Sequence, residues 1–124
     1  MLKKWLTILT IAALFSACSG PERDCNAFKT GTFSFEYEVD NIKKQGTFVR
    51  NATHSVDYYD NKVDSTTVRW INNCEFVLQP LDGTAAIHYK ILSTTKESYT
   101  FEYQRAVRDP NRKLVVKKGI AIKN

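Results

Sequence analysis

The feature that most constrains the fold is a two-residue alternation of apolar and polar side chains that recurs along the chain. In its clearest form, Phe33, Phe35 and Tyr37 alternate with Ser34 and Glu36. Such an alternation predicts a β-strand with one buried face and one solvated face. No stretch beyond the N-terminal segment shows a convincing apolar period of 3.6 residues, so little helix is expected there.

Seven or eight short strands of this kind are predicted, separated by turn-forming residues. They cover residues 30–39, 45–50, 54–59, 63–71, 74–79, 85–93, 99–104 and 114–122. Asp40-Asn41 and Asp60-Asn61 are pairs that favour tight turns. Near-regular spacing with tight turns is typical of an up-and-down antiparallel meander.

An open sheet of this length would expose two edges, and closing it into a barrel removes them. We therefore predict an all-β fold, a lipocalin-like barrel of about eight strands or a strongly curled sheet. Eight strands enclose space for side chains or for one small ligand, and the many inward-facing Phe and Tyr residues predict little free space. The expected core anchors are Phe33, Phe35, Tyr37, Trp70, Phe76, Ile91 and Phe101.

The centre of the predicted sheet is the hairpin formed by residues 67–78. Two apolar runs are joined there by Asn72-Asn73, two residues that tolerate positive φ, which predicts a two-residue turn. The hairpin carries the large aromatic residue Trp70 and the only cysteine far from the N-terminus, Cys74. We expect Cys74 to attach the N-terminal segment to this hairpin.

The N-terminus has the composition of an export signal. Lys3 and Lys4 precede an apolar run over residues 5–15, which is too short to span a bilayer as a mature helix. Residues 14–18 (LFSAC) resemble the lipobox of bacterial lipoproteins, in which the thiol of Cys18 is lipidated and the preceding peptide is removed. The alternative is an ordinary secretory signal that is cleaved nearby.

The lipobox divides the chain into a signal peptide (residues 1–17), a lipidated cysteine with its tether (18–27) and one domain (28–124). Loss of Lys3 and Lys4 lowers the formal charge from +5 to +3, which gives no argument for a nucleic-acid partner. The implied partner is the membrane, through the lipid. The resemblance also implies the outer membrane, because Ser19 stands where an inner-membrane retention signal would place Asp.

The cysteine count agrees with this division. The chain has three cysteines, and lipidation of Cys18 leaves one pair, Cys25 and Cys74. An oxidising envelope would join them as a disulfide. The alternative is two free buried thiols.

No catalytic or metal-binding pattern is present in the sequence. His54 and His88 lie on different predicted strands, with no Cys or carboxylate at ligand spacing, so both are expected to be ordinary strand residues. On the predicted solvated faces lie carboxylates such as Glu36, Glu38, Glu75 and Glu102. We therefore assign no catalytic residue, no metal and no cofactor, and we expect a protein that is not an enzyme.

A basic cluster near the C-terminus is opposed by the single acid Asp109. Its members are Arg105, Arg108, Arg112, Lys113, Lys117, Lys118 and Lys123. Such a cluster could face anionic lipid or an acidic partner. The alternative is a solvated edge strand, because edge lysines prevent strand-to-strand aggregation.

Three segments, residues 28–33 (FKTGTF), 69–76 (RWINNCEF) and 91–103 (ILSTTKESYTFEY), resemble a family of short bacterial envelope lipoproteins. Members often carry the name DNA topoisomerase IV, and the family has no established activity. A topoisomerase subunit needs an ATPase or breakage-reunion domain larger than this chain, together with a cytoplasmic location, so we interpret that name as an inherited error.

The expected function is therefore that of a membrane-anchored envelope lipoprotein that binds a small apolar ligand or an envelope protein. The alternative is a protein inhibitor of a lysozyme-like hydrolase. Such inhibitors are also short, disulfide-bonded and barrel-shaped, and this alternative depends on architecture alone.

Overall fold

The computed structural model describes residues 23–124, so the predictions for the signal peptide and for Cys18 lie outside the described residues. A short 3-10 helix, Cys25–Phe28, precedes eight antiparallel strands. The strands are β1 Gly31–Val39, β2 Ile42–Arg50, β3 His54–Tyr59, β4 Lys62–Trp70, β5 Glu75–Pro80, β6 Ile87–Thr94, β7 Ser98–Arg105 and β8 Lys117–Lys123. Each strand pairs with its neighbours in the chain, and β8 pairs with β1. The predicted all-β, lipocalin-like barrel is confirmed.

Two hairpin turns follow directly from Asp-Asn pairs. Asp40 and Asn41 have φ values of 51° and 64°, and Asp60 and Asn61 have values of 49° and 58°. Two consecutive residues with positive φ give a turn whose twist matches the twist of the flanking strands. Asp and Asn adopt this conformation more readily than most residues that carry a Cβ atom. Both predicted turns are confirmed.

The β4–β5 hairpin is present, but the predicted two-residue turn at Asn72-Asn73 is wrong. The connection has four residues, because β4 ends at Trp70 and β5 begins at Glu75. The side-chain oxygen of Asn72 accepts a hydrogen bond from the backbone N–H of Cys74 at 2.9 Å, which closes a wider loop. Cys74 therefore lies in the connection and not in the strand.

The last strand begins later than predicted, at Lys117 instead of residue 114. Leu114, Val115 and Val116 are exposed residues of the long β7–β8 connection. The ladder between β7 and β8 begins only at the pair Tyr103 and Lys117. β-Branched residues favour a strand only where a partner strand is available to pack against them. The apolar run at residues 114–116 has no such partner, so it gave a start of β8 that is too early.

The connections alternate between two ends of the barrel because successive strands are antiparallel. The β1–β2, β3–β4, β5–β6 and β7–β8 connections share one end, which we call the mouth. The other three connections and the 3-10 helix lie at the opposite, closed end. Cys25 and Cys74 form a disulfide there, with an Sγ–Sγ distance of 2.05 Å. The predicted pair therefore attaches the 3-10 helix to the β4–β5 connection.

Aromatic side chains fill the closed end. Phe28, from the 3-10 helix, lies with its ring centroid 5.3 Å from the ring of Tyr99 and 6.5 Å from the ring of Phe33. Phe33 stacks on Phe48 with a centroid distance of 4.7 Å. These four rings and that of Phe76 are buried in one cluster. The predicted filled interior is therefore correct for this half of the barrel.

The barrel closes along only part of its seam. On β1, only Phe33–Phe35 pair with β8, through the partners Lys123, Ile122 and Ala121. The β1 segment from Glu36 to Val39 and the β8 segment from Lys117 to Ile120 have no ladder partner across the seam within the described residues. A lateral gap between β1 and β8 therefore extends to the mouth.

Candidate functional site

An open cavity of about 1060 Å³ occupies the half of the barrel nearest the mouth and continues through the lateral gap onto the outer faces of β1 and β8, where Ser34, Ile120 and Ile122 line it. Arg50, Phe76 and Tyr99 line it near the closed end, and Tyr37 and Tyr59 line it nearer the mouth. This volume is comparable with the upper range of small-molecule sites, about 1,000 Å³. The prediction of little room inside is therefore wrong for this half.

Two glycines explain why so many inward aromatic residues leave space. Phe35 is the cross-strand partner of Gly46, and Phe101 is the partner of Gly119. A Cβ atom on Gly46 would lie 2.4 Å from Cζ of Phe35, and one on Gly119 would lie 2.7 Å from Cζ of Phe101. Both rings thus lie flat over the glycine backbone and along the wall, which leaves the lumen open.

A continuous aromatic surface covers the wall formed by β5, β6 and β7. Tyr89 stacks on Phe76 with a centroid distance of 5.1 Å and an interplanar angle of 2°. On its other side, Tyr89 stacks on Tyr103 at 5.4 Å, and Phe101 lies at 5.7 Å. All four side chains line the cavity. Such a surface suits an apolar ligand body, because aromatic side chains offer a large apolar contact area.

A buried cation lies at the bottom of the cavity. Arg50 is 3% exposed, and its guanidinium donates hydrogen bonds to the backbone oxygens of Phe28 (2.5 Å) and Lys29 (3.0 Å) and to the Tyr99 hydroxyl (3.3 Å). The guanidinium also lies 4.6 Å from the ring centroid of Phe76, within cation–π distance. Among residues 23–124, no carboxylate lies within ion-pair distance of it.

A carboxyl group lies on the same cavity wall. Burial, and to a smaller extent the negative charge of its direct cross-strand neighbour Asp64, raise the pKa of Asp57 to about 6. The positive charge of Arg50 acts in the opposite direction. The Ser55 hydroxyl also lies near enough to lower this pKa, although it makes no hydrogen bond of ordinary geometry. Asp57 is therefore largely protonated in mildly acidic solution and charged above neutral pH.

Asp57→Asn is expected to stabilise the protein at pH 7.5 by about 1 to 3 kcal/mol. The folded pKa of about 6 lies above the ordinary value of 3.8, so the folded state binds more protons than the unfolded state between these values. The free energy of unfolding therefore falls as the pH rises through this interval. Urea unfolding at pH 7.5 and pH 4 measures the difference, which should shrink to about 0.5 kcal/mol at pH 4, just above the ordinary pKa.

The matched control for this change is Asp40→Asn, in an exposed turn whose backbone conformation Asn also tolerates. It should leave the free energy of unfolding nearly unchanged at both pH values. Equal effects of the two substitutions at pH 7.5 would show that burial of the Asp57 carboxyl carries no cost.

The predicted core anchors separate into two groups. Phe33, Phe76 and Ile91 are fully buried. The others, Phe35, Tyr37, Trp70 and Phe101, are partly buried. Of these, Phe35, Tyr37 and Phe101 line the cavity. Trp70 contacts Phe76 at a centroid distance of 4.6 Å near the closed end.

The two histidines lie apart, on β3 and β6. Nδ1 of His54 shares a hydrogen bond with the Thr53 hydroxyl at 2.9 Å, and Nε2 of His88 lies 3.3 Å from a carboxylate oxygen of Glu75. Within residues 23–124, no three His, Cys, Asp or Glu side chains are arranged to hold a metal ion.

The basic cluster lies mainly at the mouth. Arg108, Arg112 and Lys113 belong to the exposed β7–β8 connection, and Arg112 pairs with Asp109 at 3.4 Å. Arg105 ends β7 and is exposed, and Lys117 and Lys118 begin β8 and also line the cavity. Lys123 is separate, because its ammonium donates to the backbone oxygen of Ala27 at the closed end. The two lysines at the start of β8 flank the lateral gap, where this strand is paired with β7 but not with β1.

Neither Arg50 nor Asp57 is among the candidates predicted from the sequence. The two-residue alternation could have shown that both side chains face inward. Phe48 and Arg50 share a face of β2, and Ser55 and Asp57 share a face of β3. A charged residue on the face that a buried Phe defines points into the barrel.

The fold and the cavity together define a small lipocalin-like barrel with an open, aromatic interior that holds a buried cation. No family model, no curated protein and no solved structure matches the chain. The resemblance to short envelope lipoproteins therefore stays a prediction. In the described range, 23–124, there is no helix with the length and hydropathy needed to cross a bilayer.

Proposed function

We propose that this protein is a lipid-anchored lipoprotein of the bacterial cell envelope that binds a small, largely apolar ligand in its barrel. It acts as a binding protein and not as an enzyme. Cys18 carries the lipid, and the outer membrane is the proposed location. Nucleic acid is not a partner.

The observation that carries the proposal is the cavity of about 1060 Å³. Protein interiors are normally close-packed, so an open space of this size requires side chains held away from it. Gly46 and Gly119 provide this arrangement, because each lets a Phe ring lie along the wall. The stacked rings of Phe76, Tyr89 and Tyr103 then provide an aromatic wall for an apolar ligand.

The proposed lipid on Cys18 also implies an orientation of the barrel relative to the membrane. The described chain begins at the closed end, where the Arg23 side chain donates to the Ile91 backbone oxygen at 3.2 Å and the Asp24 N–H donates to the Thr94 hydroxyl at 2.8 Å. The short tether from Cys18 to Arg23 reaches about 17 Å when fully extended. A lipid on Cys18 would therefore hold the closed end at the membrane and leave the mouth open to the aqueous phase.

Native mass spectrometry of the intact protein, extracted from its own envelope in mild detergent, tests both parts of the proposal. The expected mass is that of residues 18–124 with acyl groups on Cys18 and two hydrogens fewer for the disulfide. A non-covalent small-molecule adduct should accompany it and dissociate on collisional activation. Gly46→Val should lose the adduct, because its side chain forces the Phe35 ring into the lumen.

The control is Thr47→Val, at the adjacent exposed position, which should keep the adduct. An adduct that survives in Gly46→Val would place the ligand outside the cavity, and a mass without acyl groups would refute the lipid anchor. A bound protein in place of a small molecule, together with inhibition of muramidase activity, would favour the alternative of a hydrolase inhibitor.

A further inference from the structure

Three hydrogen-bond donors in the cavity have no partner among residues 23–124. Arg50 uses Nε and Nη2 for its hydrogen bonds, and Nη1 makes none. The hydroxyl of Ser55, a residue 1% exposed, is buried without a partner, and so is the hydroxyl of Tyr37. All three residues line the cavity. Buried polar groups in folded proteins are almost always paired, so the two buried hydroxyls, together with a guanidinium nitrogen that makes no hydrogen bond within the described residues, point to an acceptor inside the cavity.

Two of these donors are neighbours. Arg50 and Ser55 are direct cross-strand partners on β2 and β3, and both are buried. Side chains opposite each other in an antiparallel ladder have Cβ atoms about 4.5 to 5.5 Å apart. One ligand group can therefore accept from both. Tyr37 lies farther toward the mouth, since β1 runs from the closed end to the mouth.

The charge beside the Arg50 and Ser55 donors is positive. The Arg50 guanidinium has no ion pair in the described part of the chain. Its hydrogen bonds to two backbone oxygens fix the 3-10 helix but bring no negative charge to it, and the Asp57 carboxyl interacts with it electrostatically without reaching ion-pair distance. A buried charge is stabilised chiefly by an opposite charge at hydrogen-bond distance. An anionic group on the ligand would provide it.

We propose that the ligand is an amphipathic anion, whose negative group binds at Arg50 and Ser55 and whose apolar body lies against the rings of Phe76, Tyr89 and Tyr103. This inference rests on the proposed function, because it specifies the ligand of the same cavity. A carboxylate or sulfonate on an aromatic or acyl body has the required chemistry, because its oxygens accept several hydrogen bonds at once.

The test compares two fluorescent probes that differ by one charged group. 1-Anilinonaphthalene-8-sulfonate is anionic, and N-phenyl-1-naphthylamine has the same ring system without the sulfonate. Residues 19–124 include every strand, the 3-10 helix and the disulfide, so this segment serves as the sample. At pH 5, below the pKa of Asp57, this carboxyl is largely neutral. Under this condition we expect the anionic probe to bind at least about tenfold more tightly than the neutral probe.

The double substitution Ser55→Ala with Tyr37→Phe removes two donors and keeps the cavity apolar. The affinity for the anionic probe should fall about fivefold or more, and that for the neutral probe should stay the same. The melting temperature should be unchanged or higher, because removing an unpaired buried hydroxyl costs little. Arg50→Gln should abolish the preference for the anion, provided that near-ultraviolet circular dichroism shows a folded variant.

The outcomes separate this inference from the proposed function. Equal binding of both probes, or binding of the neutral probe alone, would overturn the anionic ligand and leave the cavity as a binding site. Equal losses for both probes in the double variant would also overturn it. Binding of neither probe, or unchanged binding in Gly46→Val, would overturn the proposed function as well.

Discussion

Cys74→Ser is expected to lower the free energy of unfolding by about 4 kcal/mol, a large part of the stability of so small a domain. The disulfide with Cys25 closes a loop with a sequence separation of 49 residues, and in the chain-entropy model a cross-link of this span strongly restricts the unfolded chain. It also holds the 3-10 helix, whose Phe28 is part of the closed-end core. Loss of the disulfide therefore removes the constraint on the unfolded chain and weakens the packing of Phe28 in the closed-end core.

Urea unfolding of residues 19–124 measures this effect. Wild-type protein in reducing agent should behave like Cys74→Ser, and Asn73→Ser, at the adjacent exposed position, should remain close to the oxidised wild type. A variant as stable as the oxidised wild type would mean that the 3-10 helix stays in place without its covalent attachment.

Phe33→Ala is expected to cost about 3 to 5 kcal/mol, whereas Phe35→Ala, two residues farther along the same strand, should cost no more than about half of that. Phe33 is 0% exposed and packs against Phe28, Phe48 and Tyr99, so its removal leaves a void in a filled core. Phe35 already borders the open cavity, so its removal mainly enlarges existing space.

The pair can be compared in parallel urea titrations. The contrast tests the division of the barrel into a filled half and a hollow half, since both substitutions delete the same atoms from one face of β1. Similar losses at the two positions would mean that the half near the mouth is packed as tightly as the closed end. Phe35→Ala should also retain binding of the neutral naphthylamine probe.

Much of the fold could be predicted because its causes are local. The alternation at Phe33, Phe35 and Tyr37 defines which side of β1 is inside, and Asp40-Asn41 fixes a hairpin turn by backbone preference alone. The β4–β5 connection could not be predicted in the same way. Its length depends on the side-chain hydrogen bond of Asn72 and on where the two strands stop pairing.

The cavity was harder to predict, because alternation shows which residues face inward but not how their rings lie. Whether Phe35 crosses the lumen or lies along the wall depends on Gly46, its partner on the neighbouring strand. A glycine within a strand is a recognisable sign of such close approach. Arg50 was missed for a related reason. Its hydrogen-bond partners at Phe28 and Lys29 are distant in sequence, and an isolated Arg is normally expected in solvent.

The incomplete seam also determines which part of the wall can move most easily. The outer half of the β1–β2 hairpin is paired with β8 only as far as Phe35 and with β3 only from Thr47 onward. Its tip is therefore held by its own internal ladder, and the ion pair of Lys44 with Asp60 is a surface contact at 3.6 Å. An outward movement of this hairpin would break no ladder hydrogen bond to the neighbouring strands, only that ion pair and the edge-to-face contact between the rings of Tyr37 and Tyr59 at 6.0 Å. It would widen the entrance while the rest of the barrel stays intact.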